Sequence, residues 1–167
     1  MASRKIAYAA SSNLTVTNLA GLAASATHVT GWESDAIDNT SLLYLDYLVS
    51  GKFTVESAGL AAGEIRVHIV PMLDDSTWPG TFDGTESAET TPLDDANGTA
   101  AGAKLAAAIA TDTTASQVYY LAPFSVAALF GGICPAKFVI FVTQSTTTTL
   151  ETSGQQVTVK GVYETVA

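Results

Sequence analysis

Apolar and polar residues alternate most clearly in three stretches of the chain, and each stretch predicts a strand. In EIRVHIVPM, Ile65, Val67 and Ile69 fall on one side and Glu64, Arg66 and His68 on the other, with Pro71 ending the ladder or marking a sheet edge. In QQVTVKGVYETV, Val157, Val159 and Tyr163 oppose Thr158, Lys160 and Glu164. In TSLLYLDYLVSGKFTVES, Leu43, Leu45, Tyr47 and Val49 alternate with Tyr44, Asp46, Leu48 and Ser50, and Gly51 marks a bulge or bend. The second face of that stretch is half apolar, which calls for something to cover it. ASQVYYLAPFSV and AKFVIFVTQ read as further strands, and QSTTTTLETSG as a polar hairpin connection. The β-branched residues Thr15, Val16 and Thr17 suggest a first strand, followed by loop or a short helical turn over residues 20–31.

One segment breaks the pattern. TAAGAKLAAAIA is rich in helix formers and spaces Leu105 and Ile109 four apart, which predicts a short helix over residues 100–110. Many short strands with at most one helix predict an all-β fold, an antiparallel β-sandwich or jelly roll. Residues 1–12 have no sustained period and predict an extended or mobile arm, leaving residues 13–167 as a single sandwich domain.

Composition narrows the function classes. The 167 residues are 47% hydrophobic, and sixteen acidic residues against seven Lys and Arg give a net charge of −9. Phosphate neutralisation needs clustered cations, and only Arg4 and Lys5 are adjacent, so nucleic acid is an unfavourable partner. No stretch is long and apolar enough for a secretion signal or a membrane span, so the expected site of synthesis is a cytoplasm. A single cysteine, Cys134, excludes an intrachain disulfide and a thiolate cluster.

Seven of the sixteen acids crowd residues 74–95, which raises the question of a metal. A calcium loop places oxygen ligands at alternating positions and ends on a Glu at the twelfth. DDANGTAAGAKL has no downstream carboxylate, and in DDSTWPGTFDGTE the turn Trp78-Pro79-Gly80 separates Asp74 and Asp75 from Asp83 and Glu86. The reading is a solvated loop, with neither metal nor cofactor. His28 and His68 are the only histidines, and no nucleophile elbow or phosphate loop accompanies them. His68 reads as solvent-facing or as part of an interface, and no catalytic residue is assigned. The sequons at Asn39 and Asn97 read as chance matches. Trp78 and Phe82 need cover in so polar a loop: they either fold back as a lid or anchor an interface. Arg4, Lys5, Ile6 and Tyr8 on the arm are the other interface candidates: two cations and two apolar side chains that either lie in a groove on a neighbour or add an edge strand to the chain's own sandwich.

HIVPMLDDSTWPGTFDG, residues 68–84, and KFVIFVTQSTTTTLETSGQQVTVKGVYE, residues 137–164, resemble a family of tailed-phage virion proteins. In that family a strand runs into a Pro- and Asp-Gly-containing turn and the chain later closes in a hairpin. With LLYLDYLVSGKFTV as the preceding strand, the resemblance spans about residues 41–167. It implies a non-enzymatic β-sandwich of the virion: a capsid decoration or cement protein that binds the major capsid protein as a homotrimer. The alternative is a tail or fibre component that binds a host glycan or receptor.

Overall fold

The computed structural model describes residues 3–57, 61–90 and 102–166, which form two antiparallel sheets packed together as a sandwich. The first sheet contains β1 (Arg4–Tyr8), β2 (Ser12–Asn13), β5 (Asp46–Thr54), β9 (Val118–Ser125) and β11 (Gln156–Val166). Its order is β1-β11-β5-β9, with β2 also on β11. The second contains β3 (Thr30–Glu33), β4 (Ile37–Asp38), β6 (Gly63–Pro71), β7 (Ser87–Thr90), β8 (Lys104–Thr111) and β10 (Lys137–Gln144). Its order is β7-β3-β10-β6-β8, with β4 also on β10.

The alternating positions form the core between the sheets. Val49, Phe53, Val157 and Val159 of the first sheet pack with Trp32, Ile65, Val67, Ile69, Phe138, Ile140 and Val142 of the second. Strand β10 is buried on both faces, which is why its sequence is a continuous apolar run: Val139 and Phe141 point away from the main core into a smaller one with Val70 and Phe82. Gly51 is the expected irregularity, with the register against β9 shifting between Val49 and Gly51. A Cβ at Gly51 would lie 2.5 Å from the Gln156 carbonyl oxygen, a backbone atom that cannot swing aside. Gly51→Ala is therefore expected to cost about 1–3 kcal/mol, the usual range for an overpacked interior, read as a lowered urea midpoint at unchanged slope.

Two expectations are corrected. Residues 104–111 are strand β8, paired with β6 through Ile109↔Ile65 and Ala107↔Val67; residues 100 and 101 of the expected helix lie outside the described residues. Helix propensity is a few tenths of a kcal/mol per residue, and the open ladder of β6 outweighs it by satisfying a row of backbone groups. Helix α1 (Val126–Leu129) lies after β9, where the Ser125 side chain accepts a bond from the Ala128 N–H at 3.0 Å. Residues 15–17 are not a strand, although Leu14 still donates to Val157 O and packs with Val16 against the core. Of the two readings open for the N-terminal arm, the structure takes the edge strand: β1 pairs with β11 from Arg4↔Val166 to Tyr8↔Val162.

Candidate functional site

The acidic loop folds back over the outer face of the second sheet. Asp74 accepts bonds from the N–H groups of Ser76 (2.8 Å) and Thr77 (2.7 Å), which hold its carboxyl below the usual range and close the first turn. Phe82 is buried edge-on to Phe141, with ring centroids 5.3 Å apart, and Trp78 packs against the same small core. Gly84, at φ 81°, brings the backbone close under the Trp78 ring. Of the two readings open for Trp78 and Phe82, the structure takes the lid.

Beneath that lid is Glu33 of β3, which is fully buried. Its Oε1 accepts from Gly84 N–H at 2.7 Å and from Asp83 N–H at 3.3 Å, while Oε2 has no partner. Burial pushes its pKa up to about 8, the Gly84 bond opposes this, and the nearby Glu89 and Asp83 carboxylates add to the rise. Glu33 is therefore protonated at neutral pH. Among the described residues no three His, Cys, Asp or Glu side chains are placed to hold a metal ion. Asp94 and Asp95 lie outside the described residues.

Both histidines are buried, which corrects the expectation of a solvent-facing or interface His68. A register shift between Val67 and His68 accompanies β8, and the His68 ring lies beside Phe141 at 6.1 Å between centroids. Its Nδ1 has no partner, and burial, then Arg66 and His28, lower its pKa to about 4. His28 shares a 2.7 Å hydrogen bond with the Thr143 hydroxyl, and burial and Arg66 lower its pKa. The Cys134 thiol is raised to about 11 by burial and by Asp46, so at neutral pH it is not a thiolate nucleophile. Asn39 is buried and committed: its Oδ1 accepts from Tyr44 N–H and its Nδ2 donates to Tyr44 O. Asn97 lies outside the described residues.

The surface feature that sequence reasoning missed lies at one end of the sandwich. Three connections meet there, tied by Asn39 N–H to Ala136 O (2.8 Å), Met72 N–H to Lys137 O (3.0 Å) and Leu45 N–H to Val162 O (2.8 Å). The clamp on Tyr44 turns its ring inward onto Tyr47 and Tyr163, with centroids 5.4 and 5.9 Å away. The flanking leucines are left outside. Leu42, Leu43 and Leu45 are 56%, 74% and 50% exposed, and Leu73 and Ile133 on the neighbouring connections reach 63% and 76%. A groove of about 430 Å³ runs between the leucines, Ala9 and Tyr163. Carboxylates edge this end: Glu164 at the groove, Asp74 and Asp75 beside Leu73, and Asp38 held by Lys137 at 3.2 Å. The repeated Leu42-Leu43 and the Gly131-Gly132 step before Ile133 were the available signals. The first was absorbed into the alternation of the following strand, which in fact begins only at Asp46.

Arg4, Lys5, Ile6 and Tyr8 lie together on the outer edge of the first sheet, away from Trp78 and Phe82 on the second. Arg4 bonds Glu164 at 3.0 Å, and Lys160 sits 5.8 Å from the Tyr8 ring. No known protein family, curated protein or solved structure matches the chain.

Proposed function

We propose that this chain is a non-enzymatic structural protein of a phage virion, a decoration or cement protein that binds the major capsid protein and reinforces the shell surface. The observation that carries this reading is the aliphatic end of the sandwich. Five large aliphatic side chains more than half or about half exposed on one end form a concentration of apolar surface that a free soluble protein rarely keeps uncovered. Three loops are pinned by hydrogen bonds so that these side chains stand outward, which costs little on docking because the surface is already organised. The acidic edge and the net charge of −9 suit an apolar patch rimmed by Lys or Arg on the shell. The resemblance of residues 41–167 to virion proteins points the same way.

The test is binding of purified chain to empty heads of the parent virion, followed by electron microscopy of the decorated particles. Wild-type chain is expected to add density to the outer shell, and Leu43→Asp with Ile133→Asp to lose at least tenfold in affinity at unchanged melting temperature, since both side chains are already in water. Density on the tail alone, or none on the head, overturns the assignment.

A further inference from the structure

We infer that two copies of this chain join edge to edge through β1, in an antiparallel two-fold pairing centred on Ile6. The inference stands apart from the virion reading and starts from backbone direction. Ala9 N–H donates to Gly161 O at 2.9 Å, and the bonding of an antiparallel pair alternates along each strand. Lys5 and Ala7 therefore turn their backbone groups toward β11, while Arg4, Ile6 and Tyr8 turn theirs outward. Among the described residues no strand pairs with that outer edge.

The strand is self-complementary about its middle residue. A two-fold axis at Ile6 sets Arg4 against Tyr8 of the other copy, Ile6 against Ile6, and Tyr8 against Arg4. All three facing pairs are then of the hydrogen-bonded kind, giving about six backbone bonds between the copies at two per pair. The same three side chains share the outer face of the sheet, as the contacts of Arg4 with Glu164 and of Tyr8 with Lys160 fix. Ile6 and Tyr8 are each 57% exposed there. The pairing covers Ile6 with its own copy and lays a guanidinium beside a tyrosine ring, an attractive arrangement. Like charges stay apart: Arg4 is balanced by Glu164, and Lys5, on the other face, comes opposite Ala7.

The far edge of this sheet differs. Strand β9 carries Pro123 and an irregular register opposite β5, two devices that discourage a strand from adding there. Strand β1 has neither. Each copy has one β1, so the contact is isologous and association through it closes at two. It joins the first sheets of both copies into one continuous sheet and directs their aliphatic ends in opposite senses, so that one dimer can bridge two docking sites.

Sedimentation velocity at tens of micromolar tests the inference directly. Wild-type chain is expected at twice the 17.2 kDa of one copy. Ile6→Pro removes only the outward N–H at this position and leaves the bonds to β11 in place, so it is expected to sediment as a monomer with the melting temperature of the wild type. A monomeric wild type, or any larger species whose mass Ile6→Pro leaves unchanged, overturns the inference. Should the proline unfold the chain, cross-linking in a Cys134→Ser background decides. Ile6→Cys is expected to form a disulfide dimer on oxidation, because the facing Cα atoms of such a pair lie about 5.5 Å apart. Tyr8→Cys is expected not to, since the two copies of residue 8 lie about 13 Å apart in this register. Equal cross-linking of both variants, or of neither, refutes the register.

Discussion

Glu33→Gln is expected to stabilise the protein at neutral pH and to flatten its stability on the alkaline side. Burial and the neighbouring carboxylates raise the folded pKa from 4.5 to about 8, so between those values the folded chain keeps a proton that the unfolded chain has released. Stability then falls as pH rises through this window, because the unfolded state binds fewer protons. At about 1.4 kcal/mol per pH unit, the interval from 4.5 to 7 amounts to about 3 kcal/mol. Glutamine keeps an oxygen acceptor for the Gly84 and Asp83 N–H groups and has no proton to lose. Its amide N–H₂ meets no acceptor, but neither does the hydroxyl of the protonated acid at Oε2, so that cost is common to both. The expected result in urea titrations is a gain of about 3 kcal/mol at pH 7 and little change below pH 4.5. A variant no more stable than wild type at pH 7 to 8 shows that Glu33 ionises freely in the folded chain.

The sandwich was legible where period two coincided with burial on one face, as along β11 and the first half of β6, because a strand between core and solvent must alternate. Strand β10 was legible for another reason: Phe138 to Val142 is a short apolar run covered on both sides. Strand β8 was not, since its alanines satisfy a helix as well as a strand, and what decides between them is the free ladder of β6, whose paired residues lie between 35 (Ile69↔Lys104) and 48 (Gly63↔Thr111) positions earlier, beyond any local window. The leucines of the apolar end misled for a related reason. Leu43 and Leu45 continue in phase with Tyr47 and Val49, but Leu43 sits at φ 50°, where a strand cannot run, and the chain is held there by the Asn39 clamp.

The buried polar residues were illegible for a different reason. In TGWESD nothing distinguishes Glu33 from a solvated carboxylate; it becomes singular only when a loop fifty residues later closes over it. Trp78 and Phe82 did signal that the loop needed cover, and the outer face of the second sheet supplies it. Arg4, Lys5, Ile6 and Tyr8 were correctly grouped in space by simple adjacency, while the strand that receives them is the last of the chain.

His68→Leu is expected to remove a loss of stability on the acid side. The folded pKa of His68 lies at about 4 against 6.5 for the free side chain, so as pH falls from 6.5 to 4 the unfolded chain takes up a proton that the folded chain refuses. Stability is lost across that window, by about 3 kcal/mol at about 1.4 per unit. His28, lowered by burial and by Arg66, adds to the loss in the same direction. In the wild type the Glu33 effect runs the opposite way between 4.5 and 6.5, and the His68 and Glu33 slopes cancel there, leaving only the contribution of His28. Leucine has similar bulk beside Phe141 and cannot titrate, so in the variant the Glu33 slope is opposed only by His28: its stability is expected to rise on acidification from pH 8 to 6.5 and to keep a net gain down to 4.5, whereas Glu33→Gln is expected to fall from pH 6.5 to 4. Melting temperatures of wild type and both variants across pH 4 to 8 read the two tilts. Parallel profiles for all three proteins reject the assignment of these slopes to two buried groups flanking Phe141, whatever the absolute stabilities.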